Sequence, residues 1–235
     1  KMAHIWSGHP SSLKRLFFTE MWERFSFYGL NAVLVLFLTK EAHIPEDLAL
    51  IIFGSYVTYV YLSTTIAGFL ADRLYGYAKV AFMGGVLILL GHITMALSGL
   101  EFNLFYFGLG CIATGTGLLK PNVSVMVGKL YSDEQEDMRV QGFNIYYMGI
   151  NIGAVIAPIA VGFVAEKVSW HAGFGLAAIG MALGLYIFKR GEKNFPANCK
   201  ISNQALINSR VAGIKLHYLI YIMLLALAAI FLIVK

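Results

Sequence analysis

Three ionisable residues stand where water is scarce. Glu20, Glu23 and Arg24 fall inside the apolar stretch 16–39 at spacing i, i+3 and i+4, so a helix places them on one face. Tyr28 and Asn31 continue that face by one and nearly two turns, and a fourth charge, Lys120, lies in the stretch 103–128 beside Pro121. Near the centre of a lone helix in lipid each charge costs about 2.5–3.5 kcal/mol, so four unpaired ones cost roughly 10 kcal/mol. Such residues persist only when they have partners and face a protein interior or a wet cavity, and by default they mark a binding site or an ion path. A Glu–Arg pair near a helix end also has a plainer use, snorkelling to the interface for packing or topology. That reading bears most on Glu20 and least on Lys120, whose neighbour Pro121 removes a backbone bond and frees a carbonyl toward a cavity.

The elements that must carry these charges follow from composition. Of 235 residues 58% are apolar and 13% charged, with a mean hydropathy of +0.70, whereas soluble domains carry about a quarter charged residues. Crossing about 30 Å of hydrocarbon takes roughly 20 apolar residues in a helix. Seven stretches qualify or nearly so: 16–39, 49–71, 79–99, 103–128, 141–165, 171–188 and 211–234. The runs are continuous rather than alternating, which predicts helices and excludes a barrel, so the chain reads as an all-α membrane protein.

The net charge of +5 is a topology signal. Thirteen basic residues, from Lys1, Lys14 and Arg15 through Arg73, Lys79, Lys129 and Arg139 to the cluster 189–215, occupy the N-terminus and the even connections, against Lys40 and Lys167 in the others. That asymmetry puts the N-terminus in the cytoplasm and leaves no case for a nucleic-acid partner.

Six spans at short spacing form one unit, 1–188, followed by a basic cytoplasmic linker, 189–210, and an additional span, 211–235. Six-helix units of transporters commonly consist of two three-helix repeats of opposite topology. Under that scheme the first span corresponds to the fourth. Arg24 lies about eight residues, or roughly 12 Å, into its span, and Lys120 about eight residues before the inner end of its own. The two cations therefore share a depth on equivalent helices. Gly149/Gly153 and Gly180/Gly184 are small-xxx-small pairs that let helices approach closely.

A membrane enzyme finds little support. The only aspartates, 47, 72, 133 and 137, lie in connections, and His92 is the sole histidine well inside a span, with no nucleophile elbow around it. Cys111 and Cys199 sit in a span and a loop respectively, which argues against a disulfide, and no metal-ligand spacing occurs. No cleavable signal peptide is visible.

The segment Glu20-Met-Trp-Glu23-Arg24-Phe-Ser-Phe-Tyr28-Gly29 resembles the Glu-x-x-Glu-Arg signature of the proton-dependent oligopeptide transporters of the major facilitator superfamily. Similarity continues in order through Tyr61-Leu-Ser, Gly68-Phe-Leu-Ala-Asp72-Arg73, Gly115-Thr-Gly-Leu-Leu-Lys120-Pro121-Asn122 and Gly149-Ile-Asn151-Ile-Gly153, covering about 9–190. The resemblance implies the N-terminal six-helix bundle of a major facilitator fold, built of two inverted repeats, plus the first of two helices that bacterial members insert between bundles. It implies that Arg24, Tyr28 and Lys120 hold a peptide carboxylate, that Asn151 meets the peptide's amino end, and that Asn31 and Tyr61 line the pocket. Glu20 and Glu23 then form a switchable ion-pair network with Arg24 and Lys120, and protonating a glutamate frees a cation for substrate. Asp72 and Arg73 resemble the cytoplasmic gating motif; a loop charge pair that only sets topology is the alternative there. No cofactor is implied beyond the coupling proton, and the implied setting is the inner membrane of a bacterium.

Three features depart from the family pattern. Phe27 stands where relatives commonly have a second tyrosine, Asn31 where they have arginine, and one extra residue precedes Gly76 in the gating loop. The chain begins without methionine and stops just after Phe231-Leu-Ile-Val, so it reads as an N-terminal half lacking the second six-helix bundle. Small peptides, protons, the bilayer and that bundle are the expected partners. A related transporter for another anionic or amino-acid-like solute is the alternative within the class; an embedded enzyme or an assembly module is the alternative outside it.

Overall fold

The computed structural model describes residues 5–200, 202–211 and 213–233; Lys1 and Lys235 lie outside the described residues. Six long helices come first: α1 (Ser11–Lys40), α2 (Glu46–Leu70), α3 (Tyr77–Ala96), α4 (Asn103–Gly128), α5 (Glu136–Lys167) and α6 (Trp170–Gly191). A short α7 (Gln204–Ile207), a two-residue hairpin of β1 (Arg210–Val211) and β2 (Ile214–Lys215), and α8 (Leu216–Ala228) complete the chain. Helix ends follow local chemistry. Pro45 precedes α2, whose first turn holds Glu46 and Asp47 at the positive end of the helix dipole. The Ser169 hydroxyl accepts the Ala172 N–H at 3.1 Å to open α6, and Lys189 and Arg190 sit in its last turn.

Among the described residues four segments are long and apolar enough to cross a membrane: Glu46–Tyr75, Tyr77–Ala96, Asp133–Lys167 and Trp170–Asn194. Seven were expected from sequence. Two of the others, α1 and α4, are long enough but carry Glu20, Glu23, Arg24 and Asn31 in one and Asn103, Thr114, Thr116 and Lys120 in the other. The seventh is shorter than its sequence suggests. It runs Leu216–Leu232 rather than 211–234, because Gly213 turns in the left-handed region (φ 82°) and pairs Arg210–Val211 with Ile214–Lys215 before the helix starts. Its inner side seats on α2 and α4, where the Tyr59 hydroxyl donates to the Leu227 carbonyl at 3.0 Å.

Helix α1 packs on α5 and α6, α4 packs on α2 and α3, and α3 meets α6. Exchanging the first three helices with the next three preserves this pairing. Small residues make it tight: Gly149 lies on Phe17, Gly153 on Met21 and Arg24, and Gly180 on Phe25. A Cβ on Gly153 would stand 3.0 Å from the Phe25 nitrogen and 3.1 Å from the Arg24 Cβ. Gly153→Leu is therefore expected to lower stability by about 1–3 kcal/mol, the usual cost of overpacking. Thermal unfolding in detergent reads this, and an unchanged midpoint would contradict the α1–α5 contact.

The 189–210 linker is more than a polar tether. Phe195, Cys199 and Ile207 are buried, the Ser12 hydroxyl donates to the Asn194 carbonyl at 2.8 Å, and the Asn203 N–H donates to the Leu74 carbonyl at 2.8 Å. The linker thus covers the N-terminal end of α1 and the turn after α2. Burial raises the Cys199 thiol above its ordinary pKa, against the opposing pull of Lys129 and Lys200, so this cysteine is not primed as a nucleophile.

Candidate functional site

A cavity of about 210 Å³ opens between α1, α2 and α4. Arg24, Tyr28 and Asn31 reach it from α1, Tyr61 from α2, and Thr116 and Lys120 from α4. The spacing explains the convergence. Positions 24, 28 and 31 are i, i+4 and i+7 on one helix, and 116 and 120 are i and i+4 on another, so each set forms one stripe. The close seat of α2 on α4 rests on Gly117, where a side chain would collide with Ser63. The Ser63 hydroxyl in turn lies 3.2 Å from the Ala113 carbonyl of α4.

The two carboxylates sit behind this wall. Glu20 and Glu23 are fully buried and Arg24 is 1% exposed. Arg24 Nε donates to Glu23 Oε2 and stands 3.4 Å from Glu20 Oε1. The Thr116 hydroxyl lies 3.5 Å from Glu23 Oε1, and the Tyr146 hydroxyl of α5 faces Glu20. The Arg24 guanidinium lies 4.6 Å from the Phe27 ring centroid, a cation–π contact. A buried ion group of this kind adds little net stability but is costly to break, because removing one member leaves an unpaired charge out of water.

Arg24 is thus the hinge between two environments. Its Nε holds the carboxylates, its Nη2 is buried with no hydrogen-bond partner among the described residues, and the residue lines the cavity. Asn31 Oδ1 is similarly without one. Lys120 is exposed at the cavity and makes no ion pair among the described residues. The four charges therefore meet as two layers, with both cations at the cavity and both anions behind Arg24. Tyr61 lines the cavity but is 66% exposed, and Asn151 lies exposed on α5, outside the cavity wall.

Asp72 and Arg73 sit exposed at the C-terminal end of α2, in a turn over Ala71–Tyr75 closed by the Gly76 N–H bonding to the Ala71 carbonyl at 3.0 Å. This i to i+5 bond makes a π-helical turn, which holds one residue more than an α turn. The extra residue before Gly76 is absorbed there. Gly76 then leaves with φ 77°, which suits glycine, and Asp72 accepts the Tyr77 hydroxyl at 2.6 Å instead of pairing with Arg73.

Three members of the cluster were not singled out from sequence. Thr116 was legible in principle, lying one turn before Lys120. Tyr56, whose hydroxyl is buried without a partner beside Glu23 and Arg24, and Tyr146 carry no sequence signal, since only packing brings them to α1.

Long helices, four of them among the described residues apolar enough to span, packed around a cavity faced by two cations, define a multi-pass helical membrane protein. The chain belongs to the POT family, whose model matches residues 78–217. It is 48% identical over 191 residues to the uncharacterized transporter YclF of Bacillus subtilis (strain 168), covering 79% of this chain and 38% of that protein. It is 45% identical over 197 residues to a di-/tripeptide transporter of Lactococcus lactis subsp. lactis (strain IL1403), covering 80% of this chain and 39% of that one. A crystal structure of peptide transporter POT in complex with sulfate superimposes with a TM-score of 0.81 at 42% identity, over 94% of this chain and 46% of the other. The chain spans about half the length of the relatives it matches.

Proposed function

We propose that the chain forms the N-terminal bundle of a proton-coupled importer of di- and tripeptides in a bacterial inner membrane. All of α1–α6 span the membrane in this reading, with the N-terminus in the cytoplasm; α1 and α4 tolerate their polar residues because those face the cavity. The exchange-preserving pairing of helices supports two inverted repeats, and α8 is an added helix beside the bundle. The observation that carries the reading is the pair Arg24 and Lys120 on one cavity that Tyr28 also lines. A guanidinium fork, an ammonium and a phenol suit a peptide carboxylate. A di-/tripeptide transporter among the relatives, and an anion in the sulfate complex of the solved one, support that class of ligand.

Proton coupling follows from the layering. Glu20 and Glu23 compete with substrate for Arg24, so a proton on Glu23 releases the guanidinium toward the cavity. Asn151 meets the peptide's amino end once a second bundle closes the site, and Asp72 and Arg73 gate the inner side during alternating access. The test is uptake of labelled dialanine by the full-length protein in proteoliposomes. An inward proton gradient is expected to drive accumulation; accumulation that ignores the gradient would overturn the mechanism. Uptake of a small anion in place of dialanine would favour the alternative solute.

A further inference from the structure

Glu23 cannot be held by Arg24 alone if it is to change protonation. A guanidinium has N–H donors and no acceptor, so it pairs with a carboxylate but offers nothing to a carboxyl O–H. Among the described residues, the groups that face Glu23 include Arg24 and Glu20 on α1, Tyr56 on α2, Thr116 on α4 and Tyr146 on α5, with Lys120 of α4 acting on the neighbouring Glu20. Tyr146 is turned to Glu20, and the Tyr56 hydroxyl makes no hydrogen bond among the described residues. Of these groups, Thr116 has a hydroxyl against a Glu23 oxygen and also lines the cavity. Its hydroxyl donates to a carboxylate and accepts from a carboxylic acid. At 3.5 Å the contact is longer than the usual O–H···O distance of about 2.7–2.8 Å, a stand-off that leaves room to tighten when Arg24 withdraws.

We propose that Thr116 is the positioning residue that keeps Glu23 in place through both protonation states, taking over the carboxyl when Arg24 is released to substrate. Before release, Thr116 donates to the carboxylate beside Arg24. After a proton reaches Glu23, the new O–H turns to the Thr116 oxygen as Arg24 withdraws. The inference rests on the proton-coupled reading above and adds a residue from α4 to it.

The test uses the full-length protein in proteoliposomes with dialanine as probe, measuring gradient-driven uptake and gradient-free counterflow side by side. In Thr116→Val, which replaces the hydroxyl by a methyl of similar size, the ratio of driven uptake to counterflow is expected to fall about tenfold, the scale of one hydrogen bond to a charged group. Thr116→Ser, which keeps the hydroxyl, should restore the ratio. Thr116→Ala is scored alongside in case valine impairs folding. A ratio unchanged in Val and Ala overturns the inference, as does a Ser variant that falls as far as Val, which would assign the effect to packing. If the wild-type protein neither accumulates nor exchanges dialanine, the peptide reading itself fails and takes the inference with it, a result distinct from the other two.

Discussion

Replacing Arg24 by alanine is expected to lower stability by about 3–5 kcal/mol, the cost of leaving one side of a buried ion group unpaired. Glu20 and Glu23 have no exposure, and Arg24 Nε is the cation that both approach. Without it two carboxylates share a dry space in which Tyr146 and Thr116 offer hydroxyls and Lys120 acts on Glu20 without forming an ion pair among the described residues, so much of the desolvation penalty is felt. Thermal unfolding in detergent reads the loss, and an unchanged midpoint would mean that the cluster is hydrated and not a buried group. A triple variant, Glu20→Gln, Glu23→Gln and Arg24→Met, separates structure from function. It removes all three charges while keeping amide oxygens for Thr116 and Tyr146, and buried ion pairs replaced by neutral residues of similar volume are often no less stable. Most of the lost stability should return while dialanine uptake stays absent.

Lys120→Ala is expected to do the opposite. Its side chain is exposed at the cavity and makes no ion pair among the described residues, so stability should change by no more than about 0.5 kcal/mol, as at other exposed sites. Uptake should fall about ten- to hundredfold, the equivalent of one charge-assisted hydrogen bond to a substrate carboxylate. Loss of uptake with an unchanged unfolding midpoint is the expected signature. Uptake that survives would remove Lys120 from the substrate site, and a large drop in stability would give it a structural duty instead. Together the two substitutions distinguish a cation that is part of the scaffold from one that waits for ligand.

Much of this arrangement was legible in the sequence because it depends on one helix at a time. The i, i+3, i+4 spacing of Glu20, Glu23 and Arg24 puts them on one face whatever surrounds α1, and the cost of charge in lipid marks that face as special. The glycine pairs at 149/153 and 180/184 announced close approach, and both pairs meet α1. The linker and the last helix were less legible. Their boundaries depend on Gly213 taking a left-handed turn and on Phe195, Cys199 and Ile207 finding buried seats, neither of which a hydropathy pattern reports.

By itself, then, the sequence determined that this is a helical membrane protein, which helices carry charge, and which family signature surrounds those charges. Only the tertiary structure decided that the glutamates lie behind Arg24 while Lys120 faces open space, that Asn151 stands outside the cavity, and that Thr116, Tyr56 and Tyr146 complete the cluster. The reason is geometric. Helical periodicity sets the direction of a side chain about its own axis, but the groups it meets depend on how neighbouring helices are rotated and how closely they approach. Those are set by contacts such as Gly153 on Met21 and Gly117 on Ser63: a glycine pair announces that a helix approaches closely, but not which partner it meets or at what rotation.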